Sequence, residues 1–249
     1  AGQLGPGVTD YLTKELEGEV FCEIEPGEFF PLNGVNIENN IVLFPESRFY
    51  AFPAQNVILF HSSIPRFEWF RFFNLILDVA QEYYKTKELF TLGGMISAGI
   101  HTSPREFWAT FNSTKIKRSL AAYHLSRDTD FETPPGSRPT LNSFMLWAAK
   151  QRNLNGANLW VPVPFYLVAH DDPRGQKTIL EFLNTRLLLD LKYTRIDAEQ
   201  QKQDDLLDKL CRHNPEIERT ITKLDTNQRI NDEERDNLVR EVDIYLRNN

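Results

Sequence analysis

The sequence predicts an α/β fold: a mostly parallel sheet with helices on both faces, followed by a C-terminal helical appendage. Three observations carry this expectation. Short apolar runs of strand character alternate with segments of helical period, the pattern of parallel strands joined by covering helices. Two of the runs lead into chain-reversing residues, Leu92-Gly93-Gly94 with His101-Thr102-Ser103-Pro104 beyond it, and Asn158-Leu159-Trp160-Val161-Pro162-Val163-Pro164-Phe165-Tyr166. Open sheets gather ligands at such strand ends. After Leu191 strand signals vanish, charged residues become dense and apolar residues fall at helical spacing. Residues 1–191 therefore read as the α/β core domain, and 192–249 as a charged helical appendage packed on it.

Taken in order, Val8, Leu12 and Leu16 lie four apart and predict a helix over 8–16. Residues 19–24 alternate and end at Pro26-Gly27, a strand and a turn. Residues 41–44 and 48–52 flank Pro45-Glu46-Ser47 and predict a hairpin. Val57-Ile58-Leu59-Phe60 is unbroken, as in a strand covered on both faces. Pro65 suits a first helical position, with the helix running to about Tyr84. Residues 89–92 form a buried strand that Gly93-Gly94 stops. A strand over 107–111, a short helix over 114–122, an exposed acidic and proline-rich loop over 128–139 and a Thr140-capped helix to Lys150 follow. Residues 158–163 are a further buried strand and 176–191 an amphipathic helix. In the tail, Ile217, Ile221, Leu224, Leu238, Val242 and Tyr245 mark helical stripes. Asn214-Pro215 and Asn231 with Glu234 mark helix starts, for about three helices in all.

The totals exclude several classes. A chain of 249 residues with net charge −7 lacks the clustered positive surface that nucleic acid or an anionic membrane demands. No apolar run approaches the ~18 residues of a membrane helix, and the first residues have neither the basic head nor the apolar centre of a signal peptide. The chain does not begin with Met, so residues upstream are expected to be missing. Cys22 and Cys211 stand alone, which suits reduced thiols in the cytoplasm and offers no zinc spacing. No metal or cofactor is expected. Eighteen Phe predict an aromatic-rich core.

No motif for catalysis stands out. A phosphate loop and a Gly-x-Ser-x-Gly elbow are both lacking. His61 and Ser62 are neighbours in an extended run and point apart. His170-Asp171-Asp172 is weakly metal-like, and its acids read as a solvated turn. His101 reads two ways: a base or anion ligand at a strand end, or a histidine bonded to backbone to fix the turn before Pro104. Phe67, Trp69, Phe70, Phe72 and Phe73 lie on one predicted helix, where successive residues point ~100° apart. Some rings must leave the sheet. They either meet a broad core beneath the appendage or form an oligomer or partner interface.

The ordered motifs Cys22-Glu23-Ile24-Glu25-Pro26-Gly27-Glu28-Phe29-Phe30, Pro65 with Trp69, Leu92-Gly93-Gly94, His101-Thr102-Ser103-Pro104, Val163-Pro164-Phe165-Tyr166 and Asn214-Pro215-Glu216 resemble the proteasome assembly chaperone family, in its bacterial and archaeal branch. The resemblance implies a fold like that of purine nucleoside phosphorylases, homo-oligomers of three or four copies, and protein partners. It also implies a strand upstream of Gly2, so the chain is expected either to lack that strand or to be a trimmed sequence. The chain departs from the family at Ser103, at Arg138-Pro139-Thr140-Leu141-Asn142 and at Phe165. Ile244-Tyr245-Leu246 matches a proteasome-docking tripeptide but is not terminal.

Two functions follow from these residues. The first is a non-catalytic homo-oligomeric scaffold of assembly-chaperone type. Its surface would use Phe67, Trp69, Phe70 and Phe73, the acidic loop near Asp128 and the C-terminal helices. The second is an enzyme or binder of an anion or nucleoside-like ligand at His101, Thr102, Trp69, Arg66 and Tyr166, with Arg66 or Arg105 holding the anion. Convergent polarity at the strand ends separates them; one histidine and scattered arginines favour the first.

Overall fold

A computed structural model describes the chain except residues 32–33, 124, 126–135 and 137–139. The expected loop over 128–139, Asp128 with it, lies outside the described residues apart from Gly136.

The elements run α1 (Leu4–Glu15), β1 (Glu19–Glu23), β2 (Asn36–Glu38), β3 (Ile41–Leu43), β4 (Ser47–Phe52), β5 (Val57–Ser62), α2 (Trp69–Asp78), β6 (Glu88–Ser97), β7 (Trp108–Phe111), α3 (Thr114–Ser119), α4 (Leu141–Gln151), β8 (Asn155–Pro164), α5 (Pro173–Leu187), α6 (Thr194–His213), α7 (Pro215–Asp225) and α8 (Asp232–Arg247). A wider π turn, Val79–Tyr83, prolongs α2.

The strands do not form a mostly parallel sheet. Among the described residues they make a three-stranded sheet β1-β4-β5, a two-stranded β2-β3 and a three-stranded β6-β8-β7. Of these described strands only β6 and β8 pair in parallel; their other pairings are antiparallel. The expectation fails because unbroken apolar runs report coverage and not direction. The run at Val57 lies on an edge strand, and a tight turn over Pro53–Gln55 reverses the chain before it. Asn56 then takes the left-handed conformation, at φ 53°, that short polar side chains tolerate. The expected hairpin across Pro45-Glu46-Ser47 is likewise absent: β3 pairs with β2, while β4 pairs with β1 and β5.

Gly93 and Gly94 do not stop β6, which runs through them to Ser97. A Cβ on Gly94 would stand 2.7 Å from the Ala1 carbonyl oxygen, so Gly94 lets the first residues cross the strand. Pro65 does not open α2. The Arg66 and Phe67 N–H groups both donate to Phe29 O, and Glu68 is left-handed at φ 47°, so helical geometry begins only at Trp69.

Strand β8 is the spine. Ala157, Leu159, Val161 and Val163 alternate onto one face, in a core shared with Leu4, Val8, Leu180 and Leu183. On the other face Asn142 of α4 donates to Asn158 Oδ1 at 3.3 Å. A second core joins α2 and α4 to the first sheet. At its centre Phe72 is ringed by Phe29, Phe30, Phe60 and Phe73, with centroids 5.0 to 6.2 Å away.

The helix starts in the tail follow their capping signals. The Asn214 carboxamide accepts from the Glu216 and Ile217 N–H groups, and Asn231 with Glu234 forms a reciprocal capping box. Ile196, Leu207, Ile217, Leu238 and Val242 enter the same core as β8, with Tyr245 packed against it. Among the described residues no helix is long and apolar enough to cross a membrane.

Candidate functional site

The turn after β6 carries His101, and a short 3-10 turn after β8, Phe165–Leu167, carries Tyr166. Because β6 and β8 run parallel, both turns leave the same sheet end. The His101 N–H donates to Tyr166 Oη at 2.7 Å, and His101 Nδ1 lies 3.0 Å from that oxygen. The imidazole tautomer decides which of these two atoms donates; in the tautomer that carries its proton on Nε2, Nδ1 accepts the Tyr166 hydroxyl proton. That Nε2 is buried without a hydrogen-bond partner among the described residues.

Beneath this pair lies a buried ion pair. Arg105 Nε and Nη2 donate to the two Asp172 carboxylate oxygens at 3.0 and 3.1 Å, with both side chains nearly inaccessible. The remaining guanidinium hydrogens go to the carbonyls of Ile100, Ser103 and His101. Asp172 also accepts from the Gly175 N–H as N-cap of α5, and its own N–H donates to Gly2 O. The acid expected in a solvated turn is therefore fully buried, because Arg105, a helix start and the N-terminal chain converge on it. Arg105 cannot hold an external anion in this state, since its donors are already used.

The other predicted residues separate from this centre. Thr102 is exposed on the same turn. Arg66 and Trp69 sit in the β5–α2 region. The Trp69 indole donates to Pro65 O at 2.9 Å, while the exposed Arg66 side chain has no hydrogen bond or ion pair among the described residues. His170 meets Asp243 of α8 at 3.0 Å, and Ser62 bonds Ser47 at 2.8 Å. Among the described residues no group of three or more His, Cys, Asp or Glu could hold a metal ion.

The aromatic helix divides its rings. Phe72 and Phe73 are buried, whereas Phe67, Trp69 and Phe70 are exposed. Phe73 thus leaves the predicted surface for the core, where it meets Phe144. Among the described residues the core around α2 contains none from α6, α7 or α8, and the outer rings remain exposed. Trp147 of α4 extends the exposed face, 5.8 Å from the Phe70 ring. Sequence reading missed it because α4 is otherwise an ordinary buried helix.

The PAC2 family model matches residues 1–211. The chain belongs to the PAC2 family. This agrees with the motif resemblance, and the match ends within α6. No curated protein matches the chain. Among solved structures, a Mycobacterium tuberculosis protein of unknown function has TM-score 0.75 at 18% identity, covering 91% of this chain and 79% of that one. A proteasome-assembly chaperone homologue from the same organism has TM-score 0.70 at 16% identity, covering 84% and 89%. Pyrococcus furiosus PbaB, an archaeal proteasome activator, has TM-score 0.66 at 20% identity, covering 84% and 88%. At these identities the likeness establishes a shared fold.

In this PAC2 chain burial pulls the His101 pKa from 6.5 down to about 4, outweighing the attraction of Asp208 and Asp172 and aided by Arg105 and Arg174. Burial pushes the Tyr166 hydroxyl upward, so it stays protonated. A histidine whose folded pKa is depressed contributes stability above its unfolded pKa and loses it as pH falls through that value, because the unfolded chain takes the proton first. Urea denaturation at about pH 7.5 and about pH 5 is expected to show about 2 kcal/mol more acid loss for the parent than for His101→Gln. Equal losses in the two proteins would place the histidine in water.

Proposed function

We propose that this PAC2 chain is a non-catalytic, self-associating scaffold of assembly-chaperone type, a homo-oligomer of three or four copies that presents surfaces to other polypeptides. The exposed aromatic face of Phe67, Trp69, Phe70 and Trp147 carries this reading. Large apolar patches on a folded chain mark protein contacts. Family membership supports it, as does the likeness to folds described as a proteasome-assembly chaperone homologue and an archaeal proteasome activator. A reducing cytoplasm suits its two free thiols.

The alternative, an anion or nucleoside-like ligand at the strand ends, draws on the unpartnered His101 Nε2. It is the weaker reading. The imidazole is neutral near pH 7, the phenol keeps its proton, and the nearby guanidinium is neutralised by Asp172. Arg174, the other guanidinium that acts on His101, is likewise paired, with Asp204, and a neutral imidazole beside a protonated phenol does not make an activated nucleophile.

Light scattering tests the scaffold. Phe70→Ser with Trp147→Ser is expected to reduce a mass of three or four times 29.0 kDa to that of one chain. An unchanged assembly mass removes this face from the interface.

A further inference from the structure

We propose that a groove between β1 and α2, separate from the aromatic face, binds an extended basic segment of a partner protein with an apolar residue as its anchor. The proposal rests on the reading of this chain as a protein-binding scaffold and names the chemistry of one partner.

The groove has a volume of about 700 Å³. Ile24, Phe29, Leu75 and Val79 supply apolar lining, with Ile24 and Phe29 rooted in the α2 core. Arg71, Leu75, Asp78, Val79 and Glu82 share one stripe of α2 and its π turn, because they recur at helical spacing along one face. Tyr83, 75% exposed, stands at the margin.

Charge sets the partner. Glu23, Glu25, Glu28, Asp78 and Glu82 line the groove, against the guanidinium of Arg71 alone. Three of those carboxylates have internal partners: Glu23 pairs with Arg48, Glu28 with Arg71, and Asp78 with Arg152. Glu25 and Glu82 have neither an ion pair nor a hydrogen bond among the described residues, and both are exposed. A concave surface with apolar walls and unneutralised carboxylates concentrates a field that attracts cations. A second copy of the chain, at net charge −7, is repelled by that field, whereas a basic segment from another protein is drawn in.

The backbone sets the conformation. Among the described residues β1 pairs only with β4, so none of their strands lies beside its outer edge, and it carries an irregularity between Val20 and Cys22. A strand edge recruits an extended peptide through main-chain hydrogen bonds, and alternate side chains then reach the pocket. Lys or Arg would meet Glu25 and Glu82, with a Leu-like residue over Leu75 and Val79.

Fluorescence anisotropy with a labelled ten-residue peptide of alternating Arg and Leu tests this on the full chain. Glu25→Lys with Glu82→Lys is expected to weaken binding about tenfold or more, as loss of paired charge at a rim and gain of repulsion would do. Glu233→Lys with Asp236→Lys, the same charge change on exposed α8, is expected to change it less than about twofold. The Glu-Leu counterpart peptide is expected not to bind. Equal weakening by both double variants reduces the effect to net charge and overturns the proposal. So does a fall in assembly mass for the groove variant, which would place a second copy there. If peptide binding fails while Phe70→Ser with Trp147→Ser still dissociates the assembly, the groove proposal falls and the scaffold stands.

Discussion

Asp172→Ala is expected to lower the free energy of unfolding by about 3–5 kcal/mol, the cost of stripping one partner from a buried ion pair. The carboxylate is inaccessible and joins three parts of the chain: Arg105 in the β6–β7 turn, the first turn of α5, and residue 2 through its own backbone. Removing it leaves a buried guanidinium with its charge unpaired and the N–H groups that met Asp172 without a partner, while its other bonds go on to three carbonyls. Asp172→Asn keeps an acceptor for the Gly175 N–H yet loses the charge, so it should fall close to the alanine variant. Arg105→Met with Asp172→Leu removes both charges and is expected to recover much of the loss, apart from the N-cap bond, which is worth about 1 kcal/mol. Urea titration of the four proteins measures this. A loss below about 1 kcal/mol for Asp172→Ala would mean that water reaches the pair.

Phe72→Ala is expected to cost about 3–5 kcal/mol, whereas Phe70→Ala, two residues away, should change the stability of the single chain by less than about 1 kcal/mol. The difference lies in where the helix points each ring. Phe72 is 1% exposed at the centre of the second core, where truncation leaves a cavity among four other phenylalanines that cannot close over it. Phe70 is 54% exposed, with its ring 5.8 Å from that of the exposed Trp147. Thermal or urea unfolding at a concentration where the chain is a monomer separates the two. Comparable losses would mean that the outer face is part of the core.

Helices were legible in this sequence because their signals are local. Thr140, Asn214-Pro215 and Asn231 with Glu234 each announce a helix start, and the side chains cap as their chemistry demands. Strands were legible as segments but not as partners. Direction and neighbour depend on turns and on residues far along the chain, so the antiparallel β4–β5 hairpin hid behind Pro53 and Asn56. Gly93-Gly94 reads as a strand stop by itself; the cause of its second glycine, the passage of Ala1, lies more than ninety residues earlier.

The site shows the same division. His101 and Tyr166 could be paired as strand-end residues, and Arg105 lies beside them, but its partner went unread. Asp172-Pro173 carries a usable signal, an N-cap acid before a proline at the first helical position, three residues ahead of Gly175. Taking that signal would have started α5 at Pro173 and directed the carboxylate inward. The groove along α2 was out of reach, since it exists only once β1 and the helix are side by side.

The first helix has consequences for biosynthesis. Val8 and Leu12 are buried against residues of α5 and beyond, Tyr11 donates to the Lys192 carbonyl, and Asp10 meets Arg195. Strands β5 and β6, which α1 also meets, leave the ribosome well before α5 and Lys192, so part of that apolar stripe stays uncovered until late in translation. Closure over so wide a separation favours slow, late folding, with the nascent amino-terminal half a natural client for holding factors.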